Sequence, residues 1–169
     1  MVLYQNDGTG RFHDVTNAAD LDRRGWGMGV SVADYDNDGD IDVLIVNLND
    51  RPTLLRNDTR TRHHWVTVRL VGDPTADTSP GGTASTRDAI GARVTIEAAG
   101  RTHTREVRSG GSYLSHNDMR VHFGLGDTDT LDRFEIRWPS GVVETINDLE
   151  VDRFYIAEES QGFRRITDR

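Results

Sequence analysis

The stretch Asp34-Tyr35-Asp36-Asn37-Asp38-Gly39-Asp40-Ile41-Asp42 carries aspartate at its first, third, fifth, seventh and ninth positions and glycine at its sixth. Carboxylates this close repel one another unless a cation sits among them. The donors are all oxygen, without histidine or cysteine, which selects a hard ion. Ca²⁺ takes about six to eight oxygens in flexible geometry, whereas Mg²⁺ prefers an octahedron with retained waters, so the density of carboxylates favours calcium. The side chains of Asp34, Asp36, Asp38 and Asp42 are assigned as ligands, with Asp40 giving its backbone carbonyl and Gly39 supplying the turn. The loop begins as an EF-hand loop does, but its twelfth position is Ile45 rather than Glu. Its flanks, Gly29-Val30-Ser31-Val32-Ala33 and Val43-Leu44-Ile45-Val46, read as strands, so this is a calcium loop inside a β-hairpin. The plain alternative is a solvated acidic hairpin on Asn37-Asp38-Gly39, and the regular aspartate spacing weighs against it.

Working outward from the loop, short alternating segments bounded by turn residues recur along the chain: Val2–Gln5, Arg11–Val15, Met28–Ala33, Asp42–Asn47, Thr53–Arg56, Trp65–Val71, Arg93–Ala98, Thr102–Arg108, Arg120–Phe123, Arg133–Trp138, Val142–Ile146 and Phe154–Ala157. Only Val15–Leu21 has the alanine content for a short turn of helix. Turn chemistry places hairpins at Asn6-Asp7-Gly8-Thr9-Gly10, Ala99-Gly100 and Pro139-Ser140-Gly141 as well as inside the aspartate loop. The chain therefore reads as all-β. From Gly72 to Ile90 it turns Gly/Pro/Ser/Thr/Asp-rich and nearly free of apolar residues, which predicts a mobile loop or inserted excursion. Leu3-Tyr4-Gln5-Asn6-Asp7 is echoed by Leu54-Leu55-Arg56-Asn57-Asp58, a repeat of propeller-blade size with one full period before the pattern changes at His63-His64-Trp65.

Composition bounds the function. The chain has 169 residues, 35% of them hydrophobic, enough for one generous domain or two small ones with a real core. A net charge of −8, with no cluster of basic residues, argues against nucleic acid and anionic membrane and suits a cationic partner. Without cysteine, disulfides and thiolate zinc sites are excluded. No apolar run reaches the roughly 18 residues of a membrane span, and Met1 leads straight into Val2-Leu3-Tyr4 without the pattern of a signal peptide. The expectation is a piece, or a short version, of something longer, so the missing leader does not argue for the cytosol.

Residues 1–58 resemble the FG-GAP/VCBS repeat family, through Asn6–Thr16, then Gly25-Trp26-Gly27-Met28-Gly29, then Asp34–Asp42. The resemblance implies a blade of an integrin-type β-propeller and, position by position, carries over Asp34, Asp36, Asp38, Asp40 and Asp42 as calcium ligands. The remainder is similar to the ASPIC/UnbV domain that follows such repeats, through Arg87–Val94, Arg105–Ser115, Val121–Gly126 and Arg137-Trp138-Pro139-Ser140-Gly141. Together the two resemblances imply secretion, calcium and interaction surfaces, and no assigned reaction. Family members carry several repeats, whereas this chain has about one and a half, so the blade leaves edge strands open to association.

Other constellations weigh less. Ser112, Ser115, His116 and Asp118 suggest nucleophile, base and orienter, but no strand-turn-helix elbow frames a serine, and a polar loop explains them. The pair His63-His64 and the separate His103, His116 and His122 lack metal-site spacing. Asp127, Asp129 and Asp132 lack a central glycine and read as a turn. Trp26, Trp65, Trp138 and Tyr113 could form a platform for a sugar or peptide, or sit in the core. Arg105, Arg108, Arg120 and Arg137 alternate along strands near acids, which predicts cross-strand pairs.

The expected architecture is all-β: a partial β-propeller blade with a calcium-binding hairpin loop over residues 1–62, a β-sandwich or barrel-like domain over 63–160, and a C-terminal tail over 161–169. The expected role is an extracellular, calcium-stabilised adhesion, assembly or protein-interaction module without catalytic activity, partnered by a protein or by itself through open β edges. The alternatives are a calcium-dependent carbohydrate-binding module with a glycan partner, and a hydrolase using the Ser112/Ser115/His116/Asp118 loop.

Overall fold

The computed structural model describes residues 2–21, 25–59, 62–76, 78–111 and 113–166, and the regular structure there is all strand. Strands β1 (Tyr4–Asn6) and β2 (Phe12–Asp14) form an antiparallel hairpin. Its turn closes because Gly8 and Gly10 accept φ of 84° and 89°, values that strain residues with a Cβ. Residues 16–20 make the single turn that the alanines suggested, with the Ala19 N–H donating to the Val15 carbonyl at 3.0 Å. Strands β3 (Gly27–Ala33), β4 (Asp42–Asn47) and β5 (Thr53–Leu55) then form a three-stranded antiparallel sheet. Ala33 pairs directly with Asp42, so the aspartate loop is the turn of the β3–β4 hairpin.

Eight further strands follow: β6 (His64–Val71), β7 (Arg93–Ala98), β8 (Arg101–Glu106), β9 (Val121–Gly126), β10 (Arg133–Arg137), β11 (Val143–Ile146), β12 (Arg153–Glu158) and β13 (Gly162–Arg165). They make two four-stranded sheets, ordered β11-β10-β7-β8 and β13-β12-β6-β9. Strand β12 runs parallel to β6, and the other neighbours are antiparallel. Alternation along the strands builds the core between the sheets. Val66, Val68 and Leu70 of β6, with Val121, Phe123 and Leu125 of β9, face Val94 and Ile96 of β7 and Phe134 and Ile136 of β10, all buried. Burying a side chain of this kind stabilises by about 1.5–3 kcal/mol, so this interior supplies most of the apolar driving force. The blade has little of its own: Ile45 is the buried apolar residue of its described part.

Of the sandwich and barrel-like alternatives the structure takes the first: among the described residues neither sheet closes on itself, so the C-terminal unit is a sandwich of two open sheets. Two expectations change. The expected tail at 161–169 instead contains β13, which pairs Ala157 with Phe163 and sets the Phe163 ring 5.6 Å from Phe134 and 4.9 Å from Tyr155. One apolar residue in a polar stretch was too weak a period to read as a strand. The Gly72–Ile90 stretch is not a free loop. The Ser79 N–H donates to the Ser140 carbonyl at 2.7 Å, the Thr83 N–H to the Pro139 carbonyl at 2.9 Å and the Gly72 N–H to the Arg87 carbonyl at 3.0 Å. Gly82 lies so close that a Cβ there would meet the Ser140 carbonyl oxygen at 2.0 Å. Backbone hydrogen bonding and small residues hold it down, with the buried Ala89 as its foothold in the core, which is why composition suggested mobility.

Candidate metal centre and its contact with the sandwich

The β3–β4 turn folds its first and last aspartates inward. Asp34 and Asp42 are each 2% exposed, and oxygens of Asp34, Asp36 and Asp42 all lie within 4.8 Å of one another. The backbone holds the two buried carboxylates in place. Asp34 accepts the N–H groups of Asp38 at 3.2 Å and Gly39 at 3.0 Å, and Asp42 accepts those of Tyr35 at 3.0 Å and Asn57 at 2.8 Å. Asn37 and Gly39 take φ of 60° and 96°, the left-handed conformations that turn the chain back on itself.

Electrostatics favours a cation here. At an effective dielectric constant near 20, two carboxylates at such a separation repel by about 3 kcal/mol, and several N–H donors offset only part of that. Burial raises the pKa of Asp34 above the usual carboxylate range despite those hydrogen bonds. Asp40 is raised too, first by burial and then by the charges of Asp38, Asp42, Asp36 and Asp58. Hard oxygen donors in a preformed, partly buried carboxylate group fit a divalent hard ion, and the charge density fits Ca²⁺.

Of the five sequence-predicted ligands, the structure brings together Asp34, Asp36 and Asp42. Asp38 accepts the Asp40 N–H at 2.9 Å, and both Asp38 and Asp40 line an adjoining polar recess with Arg56, Asp58 and Trp65. Arg56 pairs with Asp58 and lies 3.6 Å from Asp36, and these acids hold its guanidinium firmly charged.

Sequence reasoning missed what lies against the loop. Arg120, just ahead of β9, donates from Nη2 to the Asp34 carbonyl at 2.6 Å and from Nη1 to Asn37 Oδ1 at 2.8 Å. Trp65 of β6 packs under Gly39, where a Cβ would fall 2.1 Å from its Nε1. Trp65 in turn contacts Phe154 at 4.7 Å and stacks with His122 at 6.1 Å between ring centres. The loop therefore rests on the outward face of the β13-β12-β6-β9 sheet. Beside it, Val32 of β3 donates its N–H to Asn117 Oδ1 at 3.0 Å and accepts the Asp118 N–H at 3.0 Å. The local marks of this contact in the sequence are two glycines, Gly39 in the aspartate loop and Gly29 in β3, where a Cβ would fall 2.8 Å from the Tyr113 carbonyl oxygen.

The remaining candidates are dispersed. Ser112 lies outside the described residues. The Ser115 hydroxyl is buried without a partner, His116 Nδ1 contacts the Asn117 carbonyl at 2.6 Å, and Asp118 pairs with Arg120, so these three form no relay. Asp34, Asp36 and Asp42 are the group among the described residues that could hold a metal; Asp127, Asp129 and Asp132 form none, and neither do the histidines. His63 lies 3.7 Å from Asp127 and His64 2.8 Å from Asp152, while His122 bonds Thr67 at 2.8 Å. Of the aromatic residues, Trp138 is core, Trp65 lies beneath the loop, and Trp26 and Tyr113 are exposed. Arg108 pairs with Glu106, and Arg120 with Asp118, each two residues away along the chain rather than across strands.

Compared with known families, residues 1–45 match the FG-GAP-like repeat and residues 82–163 match ASPIC and UnbV. No curated protein matches the chain.

Proposed function

From a chain in which an FG-GAP-like repeat leads into an ASPIC and UnbV domain, we propose an extracellular, calcium-stabilised adhesion or assembly module that binds a protein partner or a second copy of itself and catalyses no reaction. The observation that carries this reading is a carboxylate group, Asp34, Asp36 and Asp42, closing a hairpin whose sheet is apolar on both faces. Leu44, Val46 and Leu54 share one face and Val30, Val32, Val43, Ile45 and Leu55 the other, and Leu44, Val46, Leu54 and Val30 are exposed. A sheet apolar on both sides is built to be covered on both sides. Side chains of Asp34, Asp36, Asp38 and Asp42, with the Asp40 carbonyl, would hold Ca²⁺, which supplies the positive charge that lets these groups stay together. The chain's own residues do the rest: backbone N–H groups orient Asp34 and Asp42, and Gly39 and Asn37 set the turn.

The test is a melt and a light-scattering measurement with excess chelator and with millimolar Ca²⁺. Calcium at a hundred times its dissociation constant adds ~2.7 kcal/mol. For a chain of this size that raises Tm by roughly 5–10 °C. An unchanged melt refutes the calcium reading, and a strict monomer in both conditions refutes self-assembly. A second reading, a calcium-dependent carbohydrate-binding module, is favoured by Trp26, 81% exposed, and by Tyr113, 67% exposed. Glycan-array binding abolished by chelator would replace the first reading with this one.

A further inference from the structure

We infer that Arg120, contributed by the C-terminal sandwich, is a positioning residue for the calcium loop, so that filling the loop and seating the blade on the sandwich form one linked equilibrium. The inference rests on the calcium reading above and deepens it by naming what the metal site is coupled to: the chain's own second domain.

Arg120 is placed by its own segment and spends its donors across the domain boundary. Its backbone N–H donates to Asp118 Oδ1 at 2.9 Å, and its Nε donates to Asp118 Oδ2. With the near end of the guanidinium fixed, Nη1 reaches Asn37 Oδ1 and Nη2 reaches the Asp34 carbonyl. The guanidinium carbon lies 5.4 Å from the centre of the Phe154 ring, in the range of a cation–π contact. A planar fork with several donors holds two acceptors at once in a way that an ammonium group does not.

The two acceptors matter because of where they sit in the loop. Asp34 supplies the first carboxylate of the group, and Asn37 holds the left-handed turn, φ 60°, that directs the chain toward Gly39. Fixing the carbonyl of one and the side chain of the other fixes the entry to the carboxylate group without occupying any carboxylate oxygen. At the far side of the same turn Gly39 rests on Trp65, so the loop is held at two points by the sandwich. Along β3 the Val32 bonds to Asn117 and Asp118 continue the seam.

Reciprocity follows. A loop opened by repulsion among Asp34, Asp36 and Asp42 draws the Asp34 carbonyl and Asn37 away from Arg120 and lifts Gly39 off Trp65. Whatever stabilises the closed loop then stabilises the seam, and the seam strengthens metal binding by the same factor. The arrangement makes the sandwich's grip on the blade dependent on calcium.

The experiment measures Ca²⁺ affinity by titration calorimetry of the full chain, and loop seating by amide exchange over residues 34–42 and 64–67 and by Trp65 fluorescence. The proteins are the native chain, Arg120→Ala, Asn37→Gly and the double variant. Glycine at position 37 keeps the left-handed turn and leaves every carboxylate and the sandwich intact, so it serves even if Arg120→Ala folds poorly. The expected result is a roughly 5- to 50-fold loss of affinity in each single variant, with the double variant losing no more than Arg120→Ala alone. Calcium should also slow exchange at residues 64–67 in the native chain and not in Arg120→Ala. Native-like affinity in both single variants overturns the inference, as does a double variant whose loss is the sum of the two. A native chain that binds no Ca²⁺ refutes the calcium reading itself, which separates the two failures.

Discussion

Two aspartates of one loop differ in what they do, and substitution can separate the roles. Asp36 contributes charge to the group and accepts none of the backbone N–H bonds that hold the loop, whereas Asp42 accepts two, from Tyr35 and Asn57, while 2% exposed. Asp36→Asn should lower Ca²⁺ affinity at least tenfold yet leave the metal-free protein as stable as before or slightly more so, because it relieves repulsion. Asp42→Asn should lower affinity and also destabilise the metal-free form, by about 1–3 kcal/mol, because a buried acceptor is weakened. Urea unfolding in chelator together with calcium titration distinguishes the two, and equal metal-free stability of both variants would contradict these roles. His122 makes a pH prediction. Burial first, and then the nearby charges of Arg105 and Arg120, hold its pKa below the ordinary histidine value, and Thr67 bonds its Nδ1. In the unfolded chain it titrates near 6.5. Its contribution is therefore complete above that pH. It is lost as pH falls from there through the lower folded value, because the unfolded chain takes up a proton that the folded one resists. In His122→Asn the fall in unfolding free energy between pH 7 and pH 5 should be shallower than in the native protein, measured by urea titration in chelator.

At the scale of the element, what could be read in advance follows from how each strand gets its stability. The hairpin at Asp34–Asp42 was legible because turn, metal and strand signals coincide there, and Ala99 and Gly100 announced the β7–β8 turn that their φ of 48° and 70° realise. The sandwich strands were legible because their alternation is that of half-buried strands, as in β7 and β10. Strand β13 was not, since it gains its place from pairing with β12 and from one ring, Phe163, neither of which leaves a period in the sequence. The grip of Arg120 and Trp65 on the aspartate loop was hidden for a related reason: the partners are 86 and 26 positions apart in sequence, and long-range contacts carry no local spacing. The three-stranded sheet gives this scale its prediction. Leu44, Val46 and Leu54 form an exposed apolar row on one face. Leu44→Glu should abolish association or partner binding while shifting Tm by no more than ~2 °C, since the side chain is 38% exposed and leaves no core cavity. Light scattering that shows undiminished association would assign the interface to another surface.

Across the whole molecule, apolar burial is divided unequally between the blade and the sandwich. The sandwich holds the cluster that runs from Val66 through Phe134 to Ala157, whereas the blade contributes Ile45 as its buried apolar residue among those described. A three-stranded sheet with so little interior cannot offset the conformational entropy of its own ordering, so its persistence must come from what closes its turn and what it leans on. Both sources meet at the aspartate loop, where the carboxylate group, Asn57, Arg120 and Trp65 converge. Unfolding should therefore not be uniform. With chelator, amides of β3, β4 and β5 should exchange at least a hundredfold faster than those of β7 and β10, and saturating Ca²⁺ should close most of that gap by slowing the blade, and residues 64–67 beneath it, while leaving β7 and β10 nearly unchanged. Native-state hydrogen exchange resolved by strand is the measurement. A blade as protected as the sandwich in chelator would mean that its few apolar contacts suffice alone. Equal calcium protection of β7 and β10 would mean that the two domains unfold as one cooperative unit.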